Sequence, residues 1–263
     1  EKLYNYNMNE IFSMKDKVVL ITGGTGMLGM EYAKILHGAG AKVALLDIKD
    51  GFSDPNFAYY KVDITQKKSV EEAVKDIVGK FGRIDVLINN AAMNPVPNTD
   101  ESAKQFSPYE DYPVELWTKE IAVGLTGMLI CAQAVIPMMK KQNSGSIINV
   151  CSTYGIVAPD NRIYDEGKFK SIGYASVKGA VPNFTRSLAS YLRDTGVRVN
   201  TLTPGGVFAG QKEEFVKKYS DRTILGRMAK KDEYNGAVLF LASDASSYMT
   251  GANLIVDGGW TAL

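Results

Sequence analysis

The sequence predicts a single α/β domain built on a doubly wound parallel sheet, and three observations carry that expectation. Short apolar, β-branched runs alternate with helix-patterned segments along the whole chain. No linker or internal repeat interrupts the alternation. A glycine-rich turn joins the first strand to the first helix, which is where an open α/β sheet binds its ligand. The 263 residues, 45% hydrophobic and 22% charged, suffice for one large domain with a sizeable core. The expected division is an N-terminal extension over 1–14 and the domain over 15–263.

The run 17–22 (KVVLIT) reads as a buried strand ending at glycines. A helix follows over 27–37, closed by Gly38 and Gly40. Strands over 42–47 (KVALLD) and 57–62 come next. An amphipathic helix over 66–81 has Val70, Ala73, Val74 and Ile77 on one face. A fourth strand spans 84–89 (IDVLIN). The segment 94–112 contains Pro95, Pro97 and Pro108 and reads as an irregular loop, followed by a long helix over 113–141. A strand over 146–150, a polar loop over 156–173 and a helix over 174–195 continue the alternation. A strand over 197–202, helices over 212–219 and 231–243, and a strand over 253–256 complete it.

The bulk numbers exclude several classes of function. A net charge of +1 offers no electrostatic footprint for nucleic acid or an anionic membrane. The apolar stretch 122–139 is interrupted by Thr126, Gln133 and Pro137, and reads as a helix covered on both sides rather than a membrane span. Such a helix points to a homo-oligomer, a tetramer or dimer. Residues 1–13 lack a hydrophobic signal core. Cys131 and Cys151 are too few for a disulfide framework and fit a reducing cytoplasm. The expected partner is a small-molecule substrate, and no metal site is expected.

Chemistry concentrates in two places. Gly24, Gly26 and Gly29 spell G-x-G-x-x-G between the first strand and the first helix. Glycines there let the backbone approach a pyrophosphate, and the helix N-terminus offers free N–H groups to the anion. Asp47 closes the second strand, where a carboxylate accepts from an adenosine ribose and repels a 2′-phosphate. This favours NAD over NADP, although Lys49 close by works against that preference. Tyr174 and Lys178 are four apart at the start of a helix and share one face. A phenol has a pKa of about 10, and a neighbouring ammonium is expected to lower it. Such a pair suits proton transfer to an oxygen that gains charge during hydride transfer. Tyr164 and Lys168 share the spacing but sit in a loop with Gly167. Ser152 follows a strand, where its hydroxyl can bind the substrate oxygen. His37, the one histidine, reads as a surface or capping residue, and Cys151 as a buried strand residue.

Together these pieces resemble the single-domain branch of the short-chain dehydrogenase/reductase family over about residues 15–260. The resemblance rests on the glycine loop, Asp63, Asn89-Asn90-Ala91-Ala92, Ser152, Tyr174-x-x-x-Lys178, Pro204-Gly205 and Val256-Asp257-Gly258-Gly259. It implies a Rossmann-type fold and an NAD(H)-dependent oxidoreductase. Gly23, Gly26, Met27, Leu28 and Gly29 are implied at the pyrophosphate, and Asp63 with Ile64 at the adenine. Asn89 and Ala91 are implied near the adenosine ribose, and Lys178 at the nicotinamide ribose. Pro204, Gly205 and Val207 are implied over the nicotinamide. Asn94, Ser152, Tyr154 and Tyr174 are the implied substrate contacts.

Three departures matter. Met27 stands where the usual loop has glycine, and Gly23, Gly26 and Gly29 match the spacing of larger members that modify sugar nucleotides. Val123-Gly124-Leu125 occupies the place of a catalytic asparagine. In the family that residue's carbonyl binds a water leading to the lysine, and glycine keeps a carbonyl. Asparagine is therefore expected to be tolerated at 124. Ala209 replaces a common threonine. The segments 120–127 and 204–211 resemble a subgroup linked to bacterial surface-sugar biosynthesis of the legionaminic type. The 156–173 loop carries Arg162, Lys168 and Lys170 beside Asp160, Asp165 and Glu166, so a phosphate contact and a solvated loop both fit. The rival to an enzyme is a dinucleotide-binding sensor without turnover.

Overall fold

Seven apolar runs pair side by side because each must satisfy its backbone groups where water is excluded. They are β1 (Val18–Thr22), β2 (Lys42–Asp47), β3 (Phe57–Lys61), β4 (Val86–Asn89), β5 (Gly145–Val150), β6 (Val197–Pro204) and β7 (Asn253–Val256). The sheet order is β3-β2-β1-β4-β5-β6-β7, with every pair parallel. The helices are α1 (Met8–Ile11), α2 (Met27–Gly38), α3 (Lys67–Phe81), α4 (Asp100–Gln105) and α5 (Val114–Ile121). They continue with α6 (Gly127–Gln142), α7 (Ile172–Tyr191), α8 (Glu213–Ser220) and α9 (Asn235–Ala242). This computed structural model describes residues 8–93 and 100–263.

Side chains alternate across a strand, so a strand covered on both faces needs apolar residues at every position. In β1, Val18 and Leu20 pack in one core with α3 and α6 residues, and Val19 and Ile21 in the other with α2 and α9 residues. Val70, Ala73, Val74 and Ile77 form the buried stripe of α3, as the periodicity predicts. The result is a doubly wound Rossmann-type sheet. Its strand order reverses between β1 and β4, so the carboxyl ends of those strands flank the switch-point crevice. Asn89, Asn149 and Thr201 lie in register across β4, β5 and β6. Asn89 Nδ2 donates to Asn149 Oδ1 at 2.9 Å, and Asn149 Nδ2 donates to Thr185 Oγ1 on α7 at 3.0 Å. This buried polar rung ties α7 to the sheet.

Several sequence expectations shift. The 94–112 segment is not wholly irregular, because α4 forms in it before Pro108. Residues 94–99, with Pro95 and Pro97, lie outside the described residues. The long helix is α5 and α6 joined by a π-helical turn over Ala122–Thr126, in which Gly127 N–H donates to the Ala122 carbonyl. α7 starts at Ile172 and ends at Tyr191, because Ser171 caps it and the chain turns before β6. The helix expected over 231–243 forms only from Asn235, the preceding residues making turns. Met14, within the expected extension, is buried in the core and donates its N–H to the Ala39 carbonyl at 2.9 Å. The apolar helix is not covered on both sides by this chain, since Leu129 on α6 is 42% exposed. Among the described residues, Val114–Gln142 is the one helical run long and apolar enough to cross a membrane by length and composition.

The π turn places Gly124 against α7. A Cβ at 124 would sit 2.4 Å from Val177 Cγ1, closer than any real contact. The asparagine that the family resemblance implies at this position therefore has no room unless Val177 moves. Gly124→Asn is expected to destabilise the fold by about 1–3 kcal/mol, the usual cost of overpacking. Val177→Ala in the same chain should recover most of that loss. Denaturant unfolding of the single and double variants checks this, and a fully stable Gly124→Asn would contradict the packing.

Candidate active site

The glycine loop is shaped by close backbone approach. Gly23 has φ +60°, and a Cβ there would lie 2.9 Å from Ala91 Cα. A Cβ on Gly29 would lie 2.3 Å from the Gly23 carbonyl oxygen. Gly26 caps α2 in an extended conformation without a side-chain hydrogen bond. Met27 and Leu28 begin the helix, so their N–H groups precede any i−4 carbonyl and suit an anion. These features fit the pyrophosphate of a dinucleotide. Met27 is 46% exposed.

Two side chains that sequence reasoning passed over brace this loop. Thr22 Oγ1 accepts from Asn90 N–H at 3.0 Å and Ala91 N–H at 3.1 Å. Asn90 Nδ2 donates to the Thr22 carbonyl at 3.0 Å and to that of Gly23 at 3.2 Å. Asn90 stood in the quoted Asn-Asn-Ala-Ala motif, and that motif was the available signal. Asp47 Oδ2 accepts from Thr25 N–H at 3.0 Å and Thr25 Oγ1 at 2.7 Å, and Oδ1 accepts from Lys49 N–H at 3.3 Å. The acid is thus held at the lip of the loop, with acceptor capacity left for a ribose hydroxyl. Lys49 meets it through its main chain.

Other expected cofactor contacts separate into two groups. Asp63 is exposed and accepts from Thr65 N–H at 2.9 Å. The Asn89 side chain is used inside the sheet, and that of Ile64 is buried against Gly127 of α6. Asn89 Oδ1 is buried and makes no hydrogen bond, whereas the Ile64 side chain is fully taken up by packing. Pro204 ends β6, and Gly205 packs on Asp257, where a Cβ would lie 2.8 Å from its Cα. Tyr219 Oη accepts from Gly206 N–H, and Val207 bridges to Ala229. This loop is thereby fixed beside the carboxyl end of the sheet.

Ser152, Tyr174 and Lys178 come together at that same end. Ser152 follows β5 and accepts from Tyr154 N–H at 3.3 Å. Its hydroxyl lies near enough to the Tyr174 phenol to favour the ionised form of that phenol. Gly155 allows this turn to lie against α7, since a Cβ there would sit 2.4 Å from the Lys178 carbonyl oxygen. Tyr174 and Lys178 share one face of α7, with Lys178 Nζ 5.6 Å from the Tyr174 ring centroid. Burial pushes the Tyr174 phenol up to about 12, with the Ser152 hydroxyl pulling the other way. The expected lowering of Tyr174 by Lys178 is therefore overruled: burial dominates, and the ammonium donates to the Val150 carbonyl at 2.7 Å. A protonated phenol beside a cation is equipped to donate its proton.

The first turn of α7 is anchored by a buried acid. Glu120 is 3% exposed. Its Oε1 accepts from Ser171 Oγ at 2.7 Å and Gln105 Nε2 at 3.0 Å, and Oε2 accepts from Tyr112 Oη at 2.6 Å. Ser171 Oγ in turn accepts from Tyr174 N–H at 2.9 Å. Tyr164 and Lys168 form no such pair. Tyr164 Oη meets Tyr154 Oη at 3.1 Å inside an aromatic cluster, while Lys168 turns to Asp165 at 3.4 Å. Tyr154 stands in that cluster with its edge to Trp260, and Asn94 lies outside the described residues. Cys131 and Cys151 are buried free thiols, both pushed up by burial. His37 is exposed at the end of α2, edge-on to Phe57. Among the described residues no His, Cys, Asp or Glu cluster is arranged for a metal. A separate cleft at the amino ends of the strands, lined by Lys17, Asp85 and Arg198, holds none of these groups.

Residues 25–261 match the family model described as enoyl-(acyl carrier protein) reductase. The cis-4-hydroxycyclohexanecarboxylate dehydrogenase of Sinomonas cyclohexanicum is 32% identical, covering 97% of this chain and all of its own length. The chain belongs to the short-chain dehydrogenase/reductase family. A crystal structure of a short chain dehydrogenase from Leptospira borgpetersenii with bound NAD+ superposes with a TM-score of 0.83 at 35% identity. That match covers 94% of this chain and 93% of the other. The NADPH-dependent 3-quinuclidinone reductase of Rhodotorula rubra matches with a TM-score of 0.82 at 32% identity, over 100% of this chain and 97% of its own. This short-chain dehydrogenase/reductase is accordingly an oxidoreductase that uses a nicotinamide dinucleotide.

The buried lysine gives the site a pH dependence of stability. Burial lowers Lys178 from 10.5 to about 8. Between those values the unfolded chain holds a proton that the folded chain has released, so this group's contribution to stability rises with pH. The gap amounts to up to about 3 kcal/mol. Unfolding free energies of wild type and Lys178→Met, compared at about pH 7 and about pH 10, should shift in favour of wild type by that order. A difference independent of pH would show that the folded lysine titrates normally.

Proposed function

We propose that this dehydrogenase/reductase interconverts a secondary alcohol and a ketone with NAD(H), using Tyr174 as acid and base. The observation that carries the reading is the convergence of Ser152, Tyr174 and Lys178 beside the glycine loop. When bound, the nicotinamide supplies or accepts the hydride. Ser152 hydrogen-bonds the reacting oxygen and aligns it with the phenol. Tyr174 gives that oxygen a proton as charge develops on it, or removes one in the oxidative direction. Lys178 favours the phenolate that results and would hold the nicotinamide ribose hydroxyls when the dinucleotide is bound. Gly23, Gly26, Met27, Leu28 and Gly29 would hold the pyrophosphate, Asp47 the adenosine ribose, and Asp63 the adenine edge.

The relative named for 4-hydroxycyclohexanecarboxylate supports a carbinol in a substrate with further polar groups. The likeness of 120–127 and 204–211 to the surface-sugar subgroup supports a sugar or sugar phosphate. The open apolar positions Leu129 and Tyr191, 42% and 66% exposed on α6 and α7, support a homo-oligomer packed through these helices. Buried reduced cysteines fit the cytoplasm. Gly124 is the one observation favouring a sensor without turnover, and the retention of Ser152, Tyr174 and Lys178 together opposes it.

Asp47 places negative charge where NADP carries a 2′-phosphate. NADH is expected to bind at least about tenfold tighter than NADPH, ~1.4 kcal/mol. Fluorescence titration with both cofactors decides this, and equal affinity would remove Asp47 from the cofactor site.

Tyr174→Phe deletes the transferable proton but keeps the ring. It should lower kcat by roughly a hundredfold to ten-thousandfold, with NADH affinity little changed. Tyr164→Phe should retain turnover. Steady-state NADH oxidation over a panel of ketones measures both, and an active Tyr174→Phe would overturn the assignment.

A further inference from the structure

The 156–173 loop brings three basic side chains near the site, and the structure separates them. Arg162 pairs with Asp160 at 2.8 Å, its side chain 82% exposed, and Lys168 pairs with Asp165. Lys170 turns inward. Its ammonium lies 4.1 Å from the Tyr174 ring centroid and 5.8 Å from that of Tyr154. This is nearer to Tyr174 than Lys178, at 5.6 Å.

The backbone holds Lys170 in this position. Its N–H donates to Asn161 Oδ1 at 3.0 Å, and Phe169 N–H donates to the Phe106 carbonyl at 3.0 Å. The next residue, Ser171, caps α7 and is locked to Glu120. The ammonium is thus carried by the same rigid turn that positions Tyr174. Burial and Lys178 push it down to about 8, while Glu120 favours its charged form.

We propose that Lys170 is a specificity-determining residue that binds an anionic substituent, a carboxylate or phosphate monoester, carried by the substrate beside its reacting carbinol. The inference rests on Tyr174 meeting the reacting oxygen. The ring bearing that hydroxyl lies directly under the ammonium, so a substituent close to the carbinol comes within its reach. A charge-assisted hydrogen bond from a fixed, half-buried lysine is strong and discriminates against a neutral isostere.

The test uses matched ligand pairs on wild type, Lys170→Met, Lys170→Gln and Lys170→Arg. The acids are 2-, 3- and 4-hydroxybutyrate against their primary amides, and glycerol 3-phosphate and glucose 6-phosphate against their parent polyols. Binding is read by tryptophan fluorescence with and without NADH, since Trp260 stands edge-on to Tyr154. At least one anion is expected to bind wild type about tenfold tighter than its neutral partner. Lys170→Met and Lys170→Gln should erase that preference, and Lys170→Arg should keep most of it. Whether an acid or a phosphate shows the preference identifies the anion. The proposal is overturned if no anion outbinds its neutral partner in wild type, or if the preference survives in the neutral variants. NADH emission in the same titrations reports separately on the dehydrogenase reading, which fails if NADH does not bind.

Discussion

The catalytic geometry depends on a carboxylate that water does not reach. Glu120 gathers Gln105, Tyr112 and Ser171 from three separate segments onto its two oxygens. A carboxylate buried without partners would cost several kcal/mol, so this arrangement persists only while its donors are satisfied. The N-terminal end of α7 adds a favourable dipole. Ser171 passes the constraint on, because the oxygen that binds Glu120 also receives the Tyr174 N–H. Gly173 leaves the room, as a Cβ there would collide with Glu120 Oε2. The direction of Tyr174, and with it the placement of Lys178 one turn later, follows from this anchor.

Around that anchor the site is assembled by main chain against main chain. Gly23 lies on Ala91, Gly155 on Lys178 and Gly205 on Asp257. Each contact brings a loop at the carboxyl end of a strand within reach of its neighbour. Their summed effect is a crevice with the glycine loop on one side and Tyr174 on the other. The polar rung from Asn89 through Asn149 to Thr185 fixes the height of α7 over the sheet. Packing of this kind is unforgiving, since interiors are close-packed and a single added carbon must displace something.

Much of this was legible in the chain. The seven strands were readable because a parallel sheet covered on both faces demands continuous apolar runs, and β1 and β2 have them. The α3 stripe followed from period 3.6. The candidate serine, tyrosine and lysine, Ser152, Tyr174 and Lys178, could be picked out from their order and spacing. The break in the long helix was not, because a π turn adds one residue without changing an apolar pattern. Nor was α4, which is short, polar and flanked by prolines. The direction of the Tyr174 shift was misread because local spacing counts the lysine but cannot count burial.

By itself the sequence determined the sheet, the glycine loop and the oxidoreductase class, since those rest on local periodicity, on glycines at a strand end and on residues four apart in one helix. Only the tertiary structure decided which of Arg162, Lys168 and Lys170 faces Tyr174, because loop side chains have no period that points them. It alone showed that Thr25 meets Asp47, that Glu120 lies beneath Ser171 and that Gly124 makes room for Val177. Each of these contacts joins residues distant in the chain, so its existence depends on how the helices settle on the sheet.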